Sequence, residues 1–378
     1  MAPKYFLAFL TLIAVFILPA AAHAAGQAVV FEGARLVTGD GTLPIENSRF
    51  IVAGGEFIAV GQPDDVAVPP GAIKVDLTGK TVMPVLLDGH VHLGYRKGAT
   101  FLPGNYTRET LLDTLDRFAF FGVGAVLEAG TARGDLPFKV REEVRSKLTA
   151  RYLTCGSGFA MPLQGPGGPM RESPYGVTAE DQARGFVRQL AASKPDMVKI
   201  WVDDREGTVE KLKPVLYSAI IDEAHRHHLK VMAHIVGLED AKNLLRAGVD
   251  GFAHMVRDKE VDDELLALLK DRPEVFFFET LWAERRGMYA SMPAWANEPI
   301  LQEMFTAEER AQLATQLYPG PETDPQAVVR ARSVAETAVR NTAKFYAAGV
   351  RLGLGTDTGG LQGGQFFGLG SHIESSFL

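Results

Sequence analysis

Cysteine is almost absent from this sequence, which contains only Cys155. A single cysteine excludes an intrachain disulfide and a cysteine-rich zinc site. Long basic runs are also absent, and a formal net charge of −7 argues against a nucleic-acid partner. No dinucleotide-binding glycine fingerprint follows the first strand predicted for the larger domain. What remains is a globular chain of 378 residues, long enough for one large α/β domain and a small companion.

Residues 1–24 have the composition of a cleavable signal peptide. Lys4 gives a minimal positive start, Tyr5 to Leu18 is an apolar run, and Ala22-His23-Ala24 offers a small-residue cleavage site. An uncleaved membrane anchor is the alternative, which Pro19 weakens. We therefore expect an exported protein, periplasmic or secreted, with no stable membrane association after cleavage.

Residues 25–82 predict a small β-rich domain resembling a β-sandwich. The segments AVVFEGARLV, SRFIVAG and GEFIAVG read as short strands separated by glycine-containing turns, and a further strand is expected near Ile73–Asp76. Few residues of this region carry chemistry.

Strand and helix patterns alternate over residues 83–378. The predicted strands are 82–87, 123–128, 150–155, 197–202, 231–235, 250–254, 274–280 and 351–355. The predicted helices between them are Arg108–Phe121, Phe138–Lys147, Ala179–Ala192, Pro214–His228, Leu238–Ala247 and Asp262–Leu269. Eight strands joined by crossover helices predict an α/β fold of the (β/α)8 TIM-barrel type, with an open doubly wound sheet as the alternative.

The connection between the seventh and eighth predicted strands, from Glu284 to about Ala348, is much longer than the others. It contains a capping box, Thr306-x-x-Glu309, the cluster Pro319-Gly320-Pro321 and a helical run, Pro325–Ala347. Such an insertion would cover the active face as a lid or a wall of the substrate site, or it would be a solvent-exposed segment on the surface.

Six polar residues fall at or near the ends of predicted strands. Side chains two apart in a strand share a face, so His90 and His92 can hold one cation, and Asp88 has the same parity. Lys199 lies inside an apolar run, where an unpaired ammonium is costly. His234, His254 and Asp357 end the fifth, sixth and eighth strands. Because barrel enzymes react at the carboxyl ends of their strands, the set His90, His92, Lys199, His234, His254 and Asp357 predicts a metal site.

With these residues the chain resembles the amidohydrolase superfamily, most closely its imidazolonepropionase-like and Xaa-Pro dipeptidase-like members. The segments MVKIWVDD, AHIVGLEDAKNLLRAGVDGFAH and LGTDTG carry the resemblance beyond the single residues, and it extends from about Ala28 to Ser371. It implies two divalent metal ions, one held by His90, His92 and Asp357 and the other by His234 and His254, with carbamylated Lys199 bridging them. These ligands suit zinc, and manganese, iron or cobalt are also compatible.

The implied activity is hydrolysis of an amide bond in a dipeptide or an acyl-amino acid. A hydroxide bridging the two ions would be the nucleophile, and Asp357 would act as general base and then general acid. Tyr95, Arg96, Arg171 and Arg205 are candidate substrate ligands on the loops after strands 1, 3 and 4. A lactone or phosphotriester hydrolase with the same centre, and a non-catalytic fragment that keeps the metal motif, are the alternatives. The expected partner is a small molecule or dipeptide, and a homo-oligomer is compatible with the sequence.

Two features depart from the family pattern. Val85, Leu86 and Leu87 follow Pro84, where the family usually has a glycine two residues after the proline. After Asp357 the family continues through a last barrel helix and strands that return to the small domain, whereas the helical pattern here begins at His372 and is then lost. We therefore expect a barrel without its final helix and a small domain without C-terminal strands, marginally folded or dependent on association.

Overall fold

The computed structural model describes residues 27–98, 100–285, 293–311, 324–359 and 367–377. The chain divides into two units, one ending at Pro84 and the other beginning at Val85. The predicted signal peptide and the cluster Pro319-Gly320-Pro321 lie outside the described residues. Within the described ranges, no helix is both long and apolar enough to cross a membrane.

The first unit is built on one five-stranded sheet. Its strands are β1 (Val29–Leu36), β2 (Ile45–Ala53), β3 (Glu56–Gly61), β4 (Ile73–Asp76) and β5 (Thr81–Val82). The order is β3-β2-β1-β4, with β5 also paired to β1; β2 is antiparallel to β1 and β3, whereas β4 and β5 run parallel to β1. Val30, Ile51 and Val66 form its buried core. The expected strands thus form a single mixed sheet in the described residues, not the two facing sheets of a sandwich.

The second unit alternates strands and helices. Its strands are β6 (Leu86–Val91), β7 (Arg96–Lys97), β8 (Thr100–Phe101), β9 (Val123–Glu128), β10 (Arg151–Thr154), β11 (Phe159–Ala160), β12 (Tyr175–Gly176), β13 (Val198–Trp201), β14 (Val231–His234), β15 (Gly251–Ala253), β16 (Phe276–Phe278) and β17 (Arg351–Gly353). Its α-helices are Arg108–Phe120, Leu136–Val144, Glu180–Ala192, Pro214–Arg226, Leu238–Ala247, Asp263–Lys270, Leu281–Arg285, Pro299–Met304, Pro325–Ala347 and Leu369–Ser375.

Eight parallel strands, β6, β9, β10 and β13 to β17, form a barrel. β6, β9 and β10 pair in one group, and β13 to β17 pair in sequence order in another. The amide of Asp196 bonds to Thr154 O at 2.9 Å between the groups, and the amide of Asp357 bonds to His90 O at 2.8 Å to close the ring. The α/β barrel expected from the alternation is therefore confirmed.

The first barrel strand begins later than the sequence pattern indicates. The expected range was 82–87, whereas β6 spans Leu86–Val91, and Val82 pairs with β1 of the small sheet instead. Pro84 explains the shift, because proline has no amide hydrogen for a sheet ladder. As a consequence, His90 lies within the strand and His92 follows its last residue.

The region after the eighth strand contains a helix that the sequence pattern did not predict in full. The expected pattern began at His372 and faded, whereas the structure has a seven-residue helix from Leu369 to Ser375, entered through Gly368 at φ +84°. Earlier in the chain, the predicted capping box is confirmed. The amide of Thr306 donates to Glu309 Oε2 at 2.7 Å, and the amide of Glu309 donates to Thr306 Oγ1 at 3.2 Å.

Candidate metal centre

The six predicted ligands meet at the carboxyl edge of the barrel. Parallel strands all end on the same side, so residues at their ends face one mouth. His90 and Lys199 lie within β6 and β13, His234 ends β14, and His254 follows β15. Asp357 lies four residues beyond β17, where its amide bonds to the carbonyl of His90.

Three donor atoms have the spacing of ligands that share one ion. His90 Nε2 lies 3.3 Å from His92 Nε2 and 3.5 Å from Asp357 Oδ1, and His92 Nε2 lies 3.1 Å from the same oxygen. Ligand bonds of about 2.0–2.1 Å in a tetrahedron separate donor atoms by roughly 3.3 Å. This set therefore fits a divalent ion such as zinc without rearrangement.

The other histidines lie directly beside this set. Ligand atoms of His90, His254 and Asp357 fall within 4.8 Å of one another. The ring centroids of His90 and His254 are 4.7 Å apart, and those of His254 and His234 are 4.6 Å apart. His254 and His234 thus continue the ligand group away from His92, as a second adjacent ion would require.

The backbone is strained where ligands leave their strands. His254 has φ +76° and Asp357 has φ +55°, in the left-handed region that side chains other than glycine disfavour. Such conformations cost of order 1–3 kcal/mol each and persist where surrounding contacts impose them. The strained backbone at these two residues lowers stability, and it directs both side chains toward the carboxyl edge of the barrel.

Lys199 is a buried amine that has no hydrogen-bond partner among the residues that the structure describes. Its side chain is 0% exposed, and Nζ lies 5.2 Å from the centre of the Trp201 ring. Burial lowers the pKa of Lys199 to about 8, although the charges of Cys155, Asp357 and Glu128 act in the opposite direction. An orphaned, partly neutral amine among histidines is what carbamylation requires, since only the free base reacts with carbon dioxide.

Burial favours the neutral form of three of the histidines, His90, His234 and His254, and the neutral form is the one that can bind a metal ion. Burial and the nearby charge of Lys199 hold the pKa of His90 well below its usual value. Burial also lowers the pKa of His254, with further contributions from His234 and His90. Burial lowers the pKa of His234, against the opposing effect of Asp203.

Three of the four candidate histidines have a ring nitrogen in contact with a threonine hydroxyl or an aspartate. His92 Nδ1 lies 3.0 Å from Thr131 Oγ1, and His254 Nδ1 lies 2.7 Å from Thr280 Oγ1. His234 Nε2 lies 3.4 Å from Asp203 Oδ2. Such contacts fix the tautomer and orientation of a ligating ring.

Glu128 and Asp88 support the residues around the histidines. Glu128, at the end of β9, accepts hydrogen bonds from the amide and hydroxyl of Thr131, and its pKa is raised by burial. Asp88 accepts from the amides of His90 and Thr356 at 3.2 and 3.1 Å, and burial raises its pKa to about 6. Asp88 therefore orients the backbone beside His90 rather than facing an ion.

Comparison with known proteins identifies the family of this chain. A model described as the amidohydrolase family matches residues 81–375. The chain belongs to the amidohydrolase family. The resemblance based on His90, His92, Lys199, His234, His254 and Asp357 is thereby confirmed at the level of the family.

Individual relatives are distant. An enamidase from Eubacterium barkeri is 25% identical over 206 residues, which cover 54% of this chain and 48% of the relative. A putative prolidase from Bifidobacterium longum has a TM-score of 0.65 at 24% identity, covering 89% of this chain and 74% of that structure. A Xaa-Pro dipeptidase with methionine bound in its active site has a TM-score of 0.68 at 18% identity, and the match covers 93% of this chain and 83% of that structure. This chain spans about half the length of the curated relatives it matches.

The four candidate substrate residues of this amidohydrolase lie in different settings. Tyr95 is 1% exposed, and its hydroxyl donates to Thr131 O at 2.7 Å. The guanidinium of Arg96 lies 4.5 Å from the centre of the Phe101 ring. Arg205 is half-buried and donates to Gly165 O, whereas Arg171 is exposed.

Sequence reasoning missed several residues around the ligands. Thr131, Thr280 and Asp203 contact the histidines, and Glu128 supports Thr131. A glutamate at the end of the apolar run VGAVLE was an available signal for Glu128. The two threonines gave none, because their role depends on proximity in the fold.

Proposed function

We propose that this chain is an exported, metal-dependent amidohydrolase that cleaves the amide bond of a dipeptide or an acyl-amino acid. The observation that carries the proposal is the donor set of His90, His92 and Asp357, spaced at 3.1–3.5 Å, together with the buried amine of Lys199, which has no partner among the described residues. Family membership supports hydrolysis of a carbon–nitrogen bond, and the prolidase and dipeptidase structures favour a peptide-like substrate.

The chain's residues divide into two ion sites. His90, His92 and Asp357 would hold one divalent ion, preferably zinc, His234 and His254 the other, and carbamylated Lys199 would bridge them. Two ions held there would acidify a bridging water to hydroxide and polarise the scissile carbonyl. Carbamylation also replaces a costly buried ammonium with a carboxylate that has partners.

Asp357 is the residue placed to move the proton. Its carboxylate is 24% exposed, the most open position among the first ion's ligands, and therefore faces the space a substrate enters. Asp357 Oδ would accept the proton of the attacking water and release it to the leaving amine nitrogen. Water and amide are thus converted into a carboxylic acid and an amine.

Arg257 adds a candidate for binding the substrate carboxylate. It follows β15, is half-buried, and donates from Nη1 to Ile235 O at 2.7 Å and Met255 O at 3.1 Å. Burial lowers the pKa of His234 and Asp203 raises it, and the charge of Arg257 is close enough to the site to add to the lowering. A cation fixed at the mouth would select substrates with a free carboxylate.

Hydrolysis of a library of dipeptides and acyl-amino acids by zinc-loaded protein tests the proposed function. We expect turnover that Asp357→Asn abolishes, while Arg226→Met, at an exposed arginine that ends the helix Pro214–Arg226, leaves it unchanged. Arg257→Met should raise KM for a free-carboxylate substrate more than for its amide. Turnover of lactones or phosphotriesters alone, or of none of these substrates by a metal-loaded protein, would contradict the proposal.

Export has its own test. The apolar residues 5–18 and the Ala22-His23-Ala24 site support cleavage after residue 24. The intact mass of protein secreted into the periplasm of a bacterial host should correspond to a chain that begins at Ala25. A protein that keeps residues 1–24 and sediments with membranes would show an anchor instead.

A further inference from the structure

The helix Leu369–Ser375 carries two buried polar side chains that the proposed reaction does not use. Ser371 and Glu374 are each 0% exposed. By contrast, within the described part of the chain the hydroxyls of the exposed Ser375 and Ser376 donate to carbonyls of their own helix. A buried hydroxyl and a buried carboxylate are costly unless they find partners, and both find them outside the helix.

Ser371 holds the carboxylate that organises the backbone of His90. Its hydroxyl donates to Asp88 Oδ2 at 2.9 Å. The other oxygen of Asp88 accepts from the amides of His90 and Thr356, and Thr356 directly precedes Asp357. Ser371 is therefore linked through Asp88 to the backbone of His90 and to that of Thr356, the residue before Asp357.

Glu374 holds the segment that supports His254. Its oxygens accept from the amides of Leu281 and Trp282 at 2.5 and 2.7 Å, the first residues of the helix Leu281–Arg285. The preceding residue, Thr280, has φ +51° and places its hydroxyl 2.7 Å from His254 Nδ1. Glu374 thus fixes the start of a helix whose flanking residue orients a ligand of the second ion.

We propose that Ser371 and Glu374 are positioning residues of the metal centre, acting on His90 and Asp357 through Asp88 and on His254 through Thr280. The helix after the eighth strand is then part of the site's support and not only a cover for the barrel. This inference rests on the metal centre of the proposed function.

A helix that served only for packing would affect the protein through its apolar side chains. Leu369 and Ile373 contact the apolar cluster of Phe121, Trp282 and Phe305 and fill space. If the helix only filled space, removing the Ser371 hydroxyl would lower stability without changing the ions' surroundings. If Ser371 and Glu374 position ligands, metal affinity and ligand geometry change in variants that remain folded.

Titration of the metal-free full-length protein with Co²⁺, followed by visible absorption, separates these roles. The variants are Ser371→Ala, Ser371→Thr, which keeps the hydroxyl, and Glu374→Gln. The controls are Ser375→Ala, an exposed serine of the same helix, and Glu336→Gln, an exposed glutamate of another helix. Circular dichroism and the thermal midpoint of each metal-free variant report folding independently.

We expect Ser371→Ala and Glu374→Gln to bind Co²⁺ roughly ten- to a hundredfold more weakly, with an altered ligand-field spectrum. Ser371→Thr and both controls should match the wild type. Should Glu374→Gln not fold, the Ser371 pair decides. Wild-type affinity and spectrum in folded Ser371→Ala would overturn the inference alone. A wild-type protein that binds no Co²⁺ would instead overturn the metal centre itself.

Discussion

His92 Nδ1 lies 3.0 Å from Thr131 Oγ1, whose own hydrogen is donated to Glu128 Oε1 at 2.7 Å. Because that hydroxyl hydrogen is already used, the Thr131 oxygen accepts from His92, and the proton of the imidazole resides on Nδ1. The lone pair is then on Nε2, which lies 3.1 Å from Asp357 Oδ1. A buried glutamate thus sets the tautomer of a ligand through one threonine.

Thr131→Val should weaken binding of the first metal ion by roughly ten- to a hundredfold, because valine keeps the shape of the side chain but accepts no hydrogen bond. Thr131→Ser keeps the hydroxyl and should bind almost as the wild type does. Competition with a chromophoric chelator measures both affinities. Equal affinity of the valine and serine variants would show that the threonine does not orient His92.

Asp203→Asn should reduce occupancy of the second ion. The Asp203 carboxylate lies 3.4 Å from His234 Nε2. Burial opposes ionisation of Asp203, but the hydrogen bond with His234 keeps the pKa of this carboxyl below its usual value. The negative charge of Asp203 holds the proton of His234 on Nε2, so that Nδ1 is unprotonated and can bind an ion. An amide at this position lacks that charge. The neighbouring Asp204→Asn, which removes a surface pair with Lys211, is the control. Elemental analysis should give fewer ions per chain only for the first variant.

Gly130→Ala should disturb Lys199. Gly130 has φ +88°, and a Cβ there would lie 2.6 Å from the Cβ of Lys199. Gly134→Ala is the matched control, since Gly134 has φ +62° with nothing within 4 Å. Both variants incur the left-handed backbone penalty of about 1–2 kcal/mol. Only Gly130→Ala should lower metal content as well, as elemental analysis would show; equal metal content would indicate that Lys199 tolerates the displacement.

The stabilising contribution of two buried glutamates, Glu374 and Glu279, should fall as pH rises from about 5 to about 8. Burial raises the pKa of Glu374 to about 8, with Glu279 and Asp88 adding to the effect, and burial raises the pKa of Glu279 to about 7. The ordinary pKa of glutamate is 4.5. In this range the folded chain therefore holds protons that the unfolded chain has lost, and each such group stabilises the fold only below its folded pKa.

Glu374→Gln should remove part of that slope, on the order of a few kcal/mol across the range. Urea unfolding of the metal-free protein at each pH measures it, with Glu336→Gln as the exposed control. The same pH dependence of the free energy of unfolding in the wild type and in Glu374→Gln between about pH 5 and 8 would contradict the prediction.

The barrel was predictable because its strands and helices follow local patterns, and the six candidate ligands could be selected because they lie at or near the ends of those strands. Strands 123–128 and 231–234, and the helix Leu238–Ala247, have periodicity that fixes their type. The parity of His90 and His92 placed two ligands on one face. The predicted start of β6 was wrong because Pro84 interrupts the strand, and the residues before it pair with the small sheet.

The support of the centre was not predictable from local patterns. Thr131 and Asp203 reach their histidines across 39 and 31 residues, and Ser371 reaches Asp88 across 283. No sequence period encodes contacts of that length. The helix Leu369–Ser375 has seven residues, too few to show a helical repeat, so its buried serine and glutamate looked like the remains of a lost pattern.

The metal content of the protein with and without Lys199 tests the central claim most directly. Protein loaded with Zn²⁺ in bicarbonate buffer is freed of unbound metal and analysed for zinc per chain, as wild type, Lys199→Met and Lys139→Met, an exposed lysine. We predict two ions for the wild type and for Lys139→Met, and fewer than one for Lys199→Met. Two ions retained by folded Lys199→Met would contradict a centre bridged by this lysine.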